Sequence, residues 1–385
     1  MSVMLPSIGP WYSTEEAAKL MGLTPGHVSR LCKEGAYKRN CVKVGKSYLV
    51  HESVAKGRPP NEFNPLGLAS IMHEQLSHDL RRKKFGNKPR ILGILAPDAG
   101  DAASMVYART LQQACEIVGF ELGLVKNKLD DVEEKIRRAN EDPMVHGIFV
   151  FYPLFGDDRD RRLKDLISPE KDIEGLSSFW ASKLYSNDRF ADEKKTKKAV
   201  LPCTSLGILK ILAHVCNLDE RPGKTFAGKK ITIFNRSDVV GRPLAYMLKN
   251  DGAVVYSFDI HGGMIMPKQV GQTTVGTAIS RKEALGQSDI VITGVPSRAF
   301  EKIRGEEITE NVTCLNFSFF QNFETSAKEK AGIYVPRVGP MTISMCVRNA
   351  IRLYENNRGT YEEKMKSATR SEWQHYGEVV EPAAA

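Results

Sequence analysis

An apolar run closing on a polar turn, a single glycine where the next segment opens, and an acid ending a second apolar run can together hold a nucleotide. In this chain they are Ile231-Thr-Ile-Phe-Asn-Arg-Ser-Asp-Val-Val-Gly-Arg-Pro-Leu244 and Ala253-Val-Val-Tyr-Ser-Phe-Asp259. Strand, phosphate turn, helix, strand, carboxylate is the order of a dinucleotide-binding βαβ unit. Gly241 stands where the helix should begin. Asp259 lies about 20 residues past the turn, where a carboxylate accepts hydrogen bonds from both ribose hydroxyls of NAD and repels the 2′-phosphate of NADP. The G-x-G-x-x-G pattern is incomplete, because Asn235 replaces its first glycine. As a bare pattern the stretch therefore also fits an ordinary crossover in which Gly241 only lets a helix approach a strand. Two further apolar runs, Ser288–Pro296 and Val312–Phe317, favour the nucleotide reading: strands alternating with helical segments indicate a parallel sheet.

The elements expected around this unit fall into three groups. Ser13–Gly22 has a capping hydroxyl, acids in the first turn and a terminal glycine, the marks of a short helix. Thr24-Pro25 opens a second helix that ends near Gly35, and Cys41–Val50 reads as a hairpin turning at Gly45-Lys46. This order resembles the excisionase-like winged helix-turn-helix modules that bind DNA; a basic protein-docking domain of the same fold is the other reading. After the linker Arg58-Pro-Pro-Asn61, a second α/β domain is expected: helix 67–85, strand 89–95, helix 105–119, and strand 145–154 stopping at Pro153. Pro202–Leu212 begins a helix capped by Thr204, and 341–354 is another. Residues 355–385 are mostly polar and read as a mobile tail.

Composition bounds the function. The 385 residues suffice for two or three domains, and hydrophobic and charged contents of 42% and 26% are those of a globular protein. No run reaches the roughly 18 apolar residues of a membrane span, and no signal peptide opens the chain, so a cytoplasmic protein without a membrane partner is expected. The seven cysteines are scattered and form no C-x-x-C, so no metal site is written here. Of the net charge of +9, an excess of five comes from residues 1–60, where nine Lys and Arg face four acids. That asymmetry suggests an anionic partner for the amino-terminal end. On its second helix His27, Ser29, Arg30 and Lys33 are expected to face solvent as the DNA-contacting set, with Val28 and Leu31 turned inward.

Seven segments together resemble the methylenetetrahydrofolate dehydrogenases, known also in bifunctional form with methenyltetrahydrofolate cyclohydrolase activity. They are Ser104-Met-Val-Tyr107, Gly147–Leu154, Pro169-Glu-Lys-Asp-Ile-Glu-Gly175, Pro202-Cys-Thr-Ser205, Asn235–Pro243, Thr293-Gly-Val-Pro296 and Val338-Gly-Pro-Met-Thr342. The fungal-type monofunctional NAD-dependent branch is the one resembled. The resemblance implies a two-lobed α/β fold: a folate-binding lobe over 62–203 with 336–356, and a Rossmann NAD-binding lobe over 204–335. The module 11–57 precedes them and the tail 357–385 follows. It implies NAD as cofactor, a tetrahydrofolate substrate, a homodimer, and one-carbon metabolism serving purine biosynthesis. Tyr107 would stack on the folate ring system, or only pack its helix. Glu174 would bind the pterin nitrogens, or cap a helix. Gly339, Pro340 and Thr342 would line the pterin site. Asn235, Arg236, Ser237, Val240, Gly241, Asp259, Gly294, Val295 and Pro296 would hold NAD. Arg236 would meet a cofactor phosphate, or stand as a surface arginine of the turn. Cys203 invites a nucleophile reading that hydride transfer does not need.

Two departures from the bifunctional pattern decide the expected chemistry. That form has a lysine four residues after the tyrosine, where this chain has Leu111, and a glutamine where it has Phe151. Hydrolysing the methenyl bridge requires activated water and proton movement, for which a tuned lysine is useful. Oxidising the methylene bridge removes only a hydride and leaves a cation spread over two folate nitrogens, so positioning is the main task. The expectation is an NAD-dependent dehydrogenase without cyclohydrolase activity. The alternative is a DNA-binding regulator whose folate domain senses NAD or folate.

Overall fold

The computed structural model describes residues 11–21, 24–34, 41–44, 47–51, 61–83, 88–96, 102–152, 154–266, 276–368 and 371–380. The expected Gly22 and Gly35 helix ends, the Gly45-Lys46 turn, the Pro59-Pro60 linker and the Pro153 stop lie outside these residues. By contacts the chain divides into two units, Met1–Ile71 with Gly207–Met341, and Met72–Leu206 with Thr342–Ala385.

The amino-terminal module is a three-stranded antiparallel sheet beside two helices. Its strands are β1 (Trp11–Ser13), β2 (Cys41–Val44) and β3 (Ser47–His51), in the order β1-β3-β2. The helix Thr14–Met21 starts on a capping box: Ser13 Oγ accepts from the Glu16 N–H at 3.2 Å, and the Glu16 carboxylate accepts from the Ser13 N–H at 2.8 Å. Thr24 caps the helix Pro25–Lys33 through the His27 N–H at 3.3 Å. Ala17, Ala18, Val28, Cys32 and Val50 close a small core.

The unit holding Tyr107 and Glu174 has parallel strands β4 (Arg90–Leu95), β5 (Glu121–Lys126) and β6 (Gly147–Val150). Their apolar runs are buried on both faces, as a helix-covered parallel sheet requires. The helix Ala102–Val118 carries Tyr107 toward the β6 side, where its ring meets Phe149 and Phe151.

The nucleotide unit carries a sheet of seven strands: β7 (Lys230–Phe234), β8 (Val254–Asp259), β9 (Gly262–Ile265), β10 (Thr277–Ile279), β11 (Ile290–Thr293), β12 (Thr313–Asn316) and β13 (Ile333–Val335). The order is β10-β9-β8-β7-β11-β12-β13. Strands β8, β7, β11, β12 and β13 are parallel, as the sequence pattern suggests. The hairpin β9–β10 runs antiparallel and makes the sheet mixed. Asn61, the end of the expected linker, and Phe63, expected with the folate lobe, bind the edge of β13: Phe63 N–H donates to Tyr334 O at 2.7 Å and Tyr334 N–H to Asn61 O at 2.9 Å.

Two further expectations change. The helix after Pro202 begins at Cys203, so Thr204 lies inside its first turn and is not the cap. The closing helix runs Gly339–Met365, well past residue 354, and the segment beyond it is docked rather than mobile over 371–380. Strand β14 (Glu378–Val379) pairs antiparallel with β5. The Trp373 indole donates to the Glu121 carboxylate at 3.0 Å and lies 4.1 Å from the Arg90 guanidinium carbon. Gly123 makes room for it: a Cβ there would come within 2.2 Å of the indole. No helix among the described residues is long and apolar enough to cross a membrane.

Candidate active site

The nucleotide turn is stapled shut by Asn235. Its Nδ2 donates to Gly294 O at 2.8 Å, and its Oδ1 accepts from the Ser237 N–H at 2.9 Å and the Ser237 hydroxyl at 2.7 Å. The residue that replaces the first glycine thus ties the β7 turn to the loop after β11. Helix Gly241–Asn250 begins at the expected glycine, where a Cβ would sit 2.0 Å from Asn235 O, so only glycine fits this approach. Ser237 Oγ lies 3.3 Å from the Val240 amide and 3.4 Å from the Gly241 amide, the donors of the helix N-terminus. Val295 is held by Asn322 through N–H to Oδ1 at 2.9 Å, and its carbonyl accepts from Ser318 Oγ at 2.9 Å. Pro296 is exposed beside it.

Arg236, expected on a cofactor phosphate, is engaged elsewhere. Its Nη1 is 2.5 Å from Asp259 Oδ2, Nε donates to Ser257 Oγ at 3.2 Å, and Nη2 donates to Gly262 O at 3.2 Å. Asp259 Oδ1 also accepts from the His261 N–H at 2.8 Å. A carboxylate oxygen has two lone pairs, so Asp259 retains capacity for ribose hydroxyls while Arg236 fixes its orientation. Close turn, helix amides and oriented carboxylate are the parts that a bound NAD requires, and these residues fit it.

Around Glu174 the geometry is different. The loop 171–174 runs beside β6, with Ile148 N–H donating to Lys171 O at 2.8 Å. The buried Lys171 ammonium is satisfied by the carbonyls of Ala139 and Asp142, each at 2.7 Å, and burial pushes its pKa down to about 8. Asp172, also buried, accepts from the Gly175 N–H at 2.9 Å and the Ser177 N–H at 2.8 Å. Gly175 has φ +67°, which a side chain would strain. Burial first, then the Asp172 charge, pushes the Glu174 carboxyl up to about 8, against the Val150 N–H and Lys164, which lower it. Tyr107 is close enough to feel Glu174, and burial, Cys346, Cys203 and Glu174 all raise its phenol. Its ring centroid is 6.3 Å from Phe149 and 6.1 Å from Phe151. Leu111, one turn on, is fully buried.

Two family models match: the tetrahydrofolate dehydrogenase/cyclohydrolase catalytic domain over residues 67–174 and the NAD(P)-binding domain over 202–358. The methylenetetrahydrofolate dehydrogenase [NAD(+)] of Schizosaccharomyces pombe is 40% identical, over 76% of this chain and 92% of its own length. The chain belongs to the tetrahydrofolate dehydrogenase/cyclohydrolase family. The enzyme of the same name from Saccharomyces cerevisiae is 39% identical over 72% of this chain and 90% of its own. The solved structure of the NAD-dependent 5,10-methylenetetrahydrofolate dehydrogenase from Saccharomyces cerevisiae superposes with TM-score 0.71 at 35% identity, covering 78% of this chain and 98% of that one.

For this family member the structure brings together Asn235, Ser237, Val240, Gly241, Gly294 and Val295 on one side and Arg236 with Asp259 beside them. In the other unit it brings Tyr107 near Glu174. Gly339, Pro340 and Thr342 form the first turn of the helix Gly339–Met365. Sequence reasoning missed Asn322 and Ser318, which hold the Val295 loop, and Cys346 and Asn349. Thr342, Cys346 and Asn349 recur at i, i+4 and i+7, a signal for one helix face. In the amino-terminal module His27, Arg30 and Lys33 are exposed, Ser29 is half-buried, Val28 is buried, and Leu31 packs on the core. Among the described residues no three His, Cys, Asp or Glu are grouped to hold a metal.

Proposed function

We propose that this chain oxidises 5,10-methylenetetrahydrofolate to 5,10-methenyltetrahydrofolate with NAD, as a homodimer, and does not hydrolyse the product. The observation that carries this reading is the apolar surround of Tyr107: buried Leu111 one helical turn away and Phe151 at 6.1 Å. Neither side chain can activate water or carry a proton. Tyr107 offers a ring face for the folate, and Glu174 offers a carboxylate for the pterin nitrogens. Bound NAD supplies the hydride acceptor. Asp259, oriented by Arg236, selects free ribose hydroxyls and disfavours a 2′-phosphate. The protein's contribution is to hold the methylene carbon in line while excluding water. Steady-state assays should show NADH formed from methylenetetrahydrofolate, with methenyltetrahydrofolate accumulating. Hydrolysis of the methenyl product well above its spontaneous rate overturns the reading.

We further infer that the amino-terminal module binds DNA, because His27, Arg30 and Lys33 are exposed together on its second helix. Arg30 is shared with Glu34, at 3.9 Å, so the binding should be weak and steeply salt-dependent. Titrating the full chain with mixed duplex DNA at low salt, against a chain lacking residues 1–60, tests this. Equal binding by the two, or binding indifferent to salt, points to a protein-docking role instead.

A further inference from the structure

We propose that Asn349 is a positioning residue for Glu174: its side-chain amide joins the loop carrying Glu174 to the segment carrying Cys203 and so sets where the carboxylate stands. The inference rests on the reading of Glu174 as the pterin ligand. Asn349 is fully buried on the helix Gly339–Met365. Its Nδ2 donates to Leu201 O at 2.8 Å and Ile173 O at 3.0 Å, and lies 3.3 Å from Cys203 Sγ. Two carbonyl oxygens can be met only by the NH2 end of the amide, which fixes its orientation. An aspartate of the same shape would face those carbonyls with like partial charge.

Asp172 and Gly175 already shape the turn around Glu174, but both lie within it. They do not fix where the turn sits against Leu201-Pro202-Cys203. Asn349 does, because Ile173 is the residue immediately before Glu174. Cys203 adds a parallel tie, donating from Sγ to Ile173 O at 3.2 Å. One turn earlier on the same helix face, Cys346 lies close enough to Tyr107 and Cys203 to help push both groups up. The same helix face therefore borders both folate residues, but it is Asn349 that ties the Glu174 loop in place.

The test uses the full chain with Asn349→Ala, Glu174→Ala and a matched control, Asn357→Ala. Asn357 is buried on the same helix, donates to Leu353 O at 3.0 Å and accepts from Lys197 Nζ at 2.8 Å, away from the Glu174 loop. Asn349→Ala should raise the folate KM about tenfold or more and leave the NAD KM within about twofold, because only the folate contact is displaced. Asn357→Ala should lower Tm while leaving both KM values alone. If Asn349→Ala does not fold, Asn349→Ser, which keeps one donor, gives the same comparison. A folate KM unmoved by Asn349→Ala or Asn349→Ser but raised by Glu174→Ala overturns the positioning role. A folate KM unmoved by Glu174→Ala overturns the underlying assignment of Glu174 instead. A rise in NAD KM equal to the rise in folate KM marks a general fold defect and overturns the proposal.

Discussion

The two α/β units handle charge in opposite ways. In the nucleotide unit Asp259 keeps 24% of its side chain exposed and is bound to Arg236, which keeps 20%. A carboxylate oriented by a guanidinium partner at the surface is suited to discriminate a ribose from its 2′-phosphate. In the folate unit the Glu174 carboxyl is desolvated, beside Asp172 and among thiols and aromatic rings, and its pKa is pushed up to about 8. Where substrates differ by a charge, a permanent charge suffices. Where a neutral, planar pterin must be recognised by its hydrogen-bond pattern, a buried group of adjustable charge can do so in a dry setting.

The largest effect expected from this contrast is at Glu174. Glu174→Ala should raise the folate KM about a hundredfold or abolish turnover, since a buried hydrogen-bond partner is lost, while NAD binding stays nearly intact. Equal loss of NAD affinity would erase the distinction between the units. At Asp259, Asp259→Ser should lower the NAD over NADP preference in kcat/KM by about tenfold or more, because the repulsion is removed and Arg236 is released toward a 2′-phosphate. An unchanged ratio would take cofactor choice away from this carboxylate.

Smaller effects follow from the raised pKa of Glu174. Its folded value, about 8, lies above its ordinary 4.5. Between these values the folded state holds a proton that the unfolded state has released, so this group's stabilising contribution is complete below pH 4.5 and lost as pH rises through 8. Glu174→Gln should gain stability relative to the parent as pH rises across that window, by on the order of 1 to a few kcal/mol. Chemical denaturation at pH 5 and pH 9 measures it, and a difference independent of pH would contradict the burial of this carboxyl. In the parent, kcat/KM for folate should rise through pH 8 as Glu174 ionises, with the rise absent in Glu174→Gln. The smallest effect concerns the docked tail. Trp373→Ala should cost about 3 kcal/mol of stability through a lost ring, with both KM values unchanged.

Much of the architecture was legible because it is locally encoded. Apolar runs marked β7, β8, β11 and β12, and Gly241 and the Ser13 and Thr24 caps marked helix starts, since periodicity and capping involve neighbours within a turn. Leu111 and Phe151 carried meaning only against the family pattern, in which a lysine and a glutamine stand at those positions. Short or edge elements escaped: β1 has three residues, and the hairpin β9–β10 and strand β14 are defined by pairing to strands already present. The polar tail docks because Gly123 leaves space for Trp373, a complementarity between residues 250 positions apart that no local pattern records. The same holds for function. The sequence by itself nominated the side chains expected to do the chemistry: Asp259 and the Asn235–Gly241 turn from their pattern, Tyr107 and Glu174 through the family resemblance. Only the tertiary structure decided that Arg236 serves Asp259, that Glu174 is held at a raised pKa, and that Asn349 grips a loop 176 residues away. Hydrogen-bond partners and desolvation depend on which distant segments the packed core brings together, and these are properties of the fold rather than of any stretch of chain.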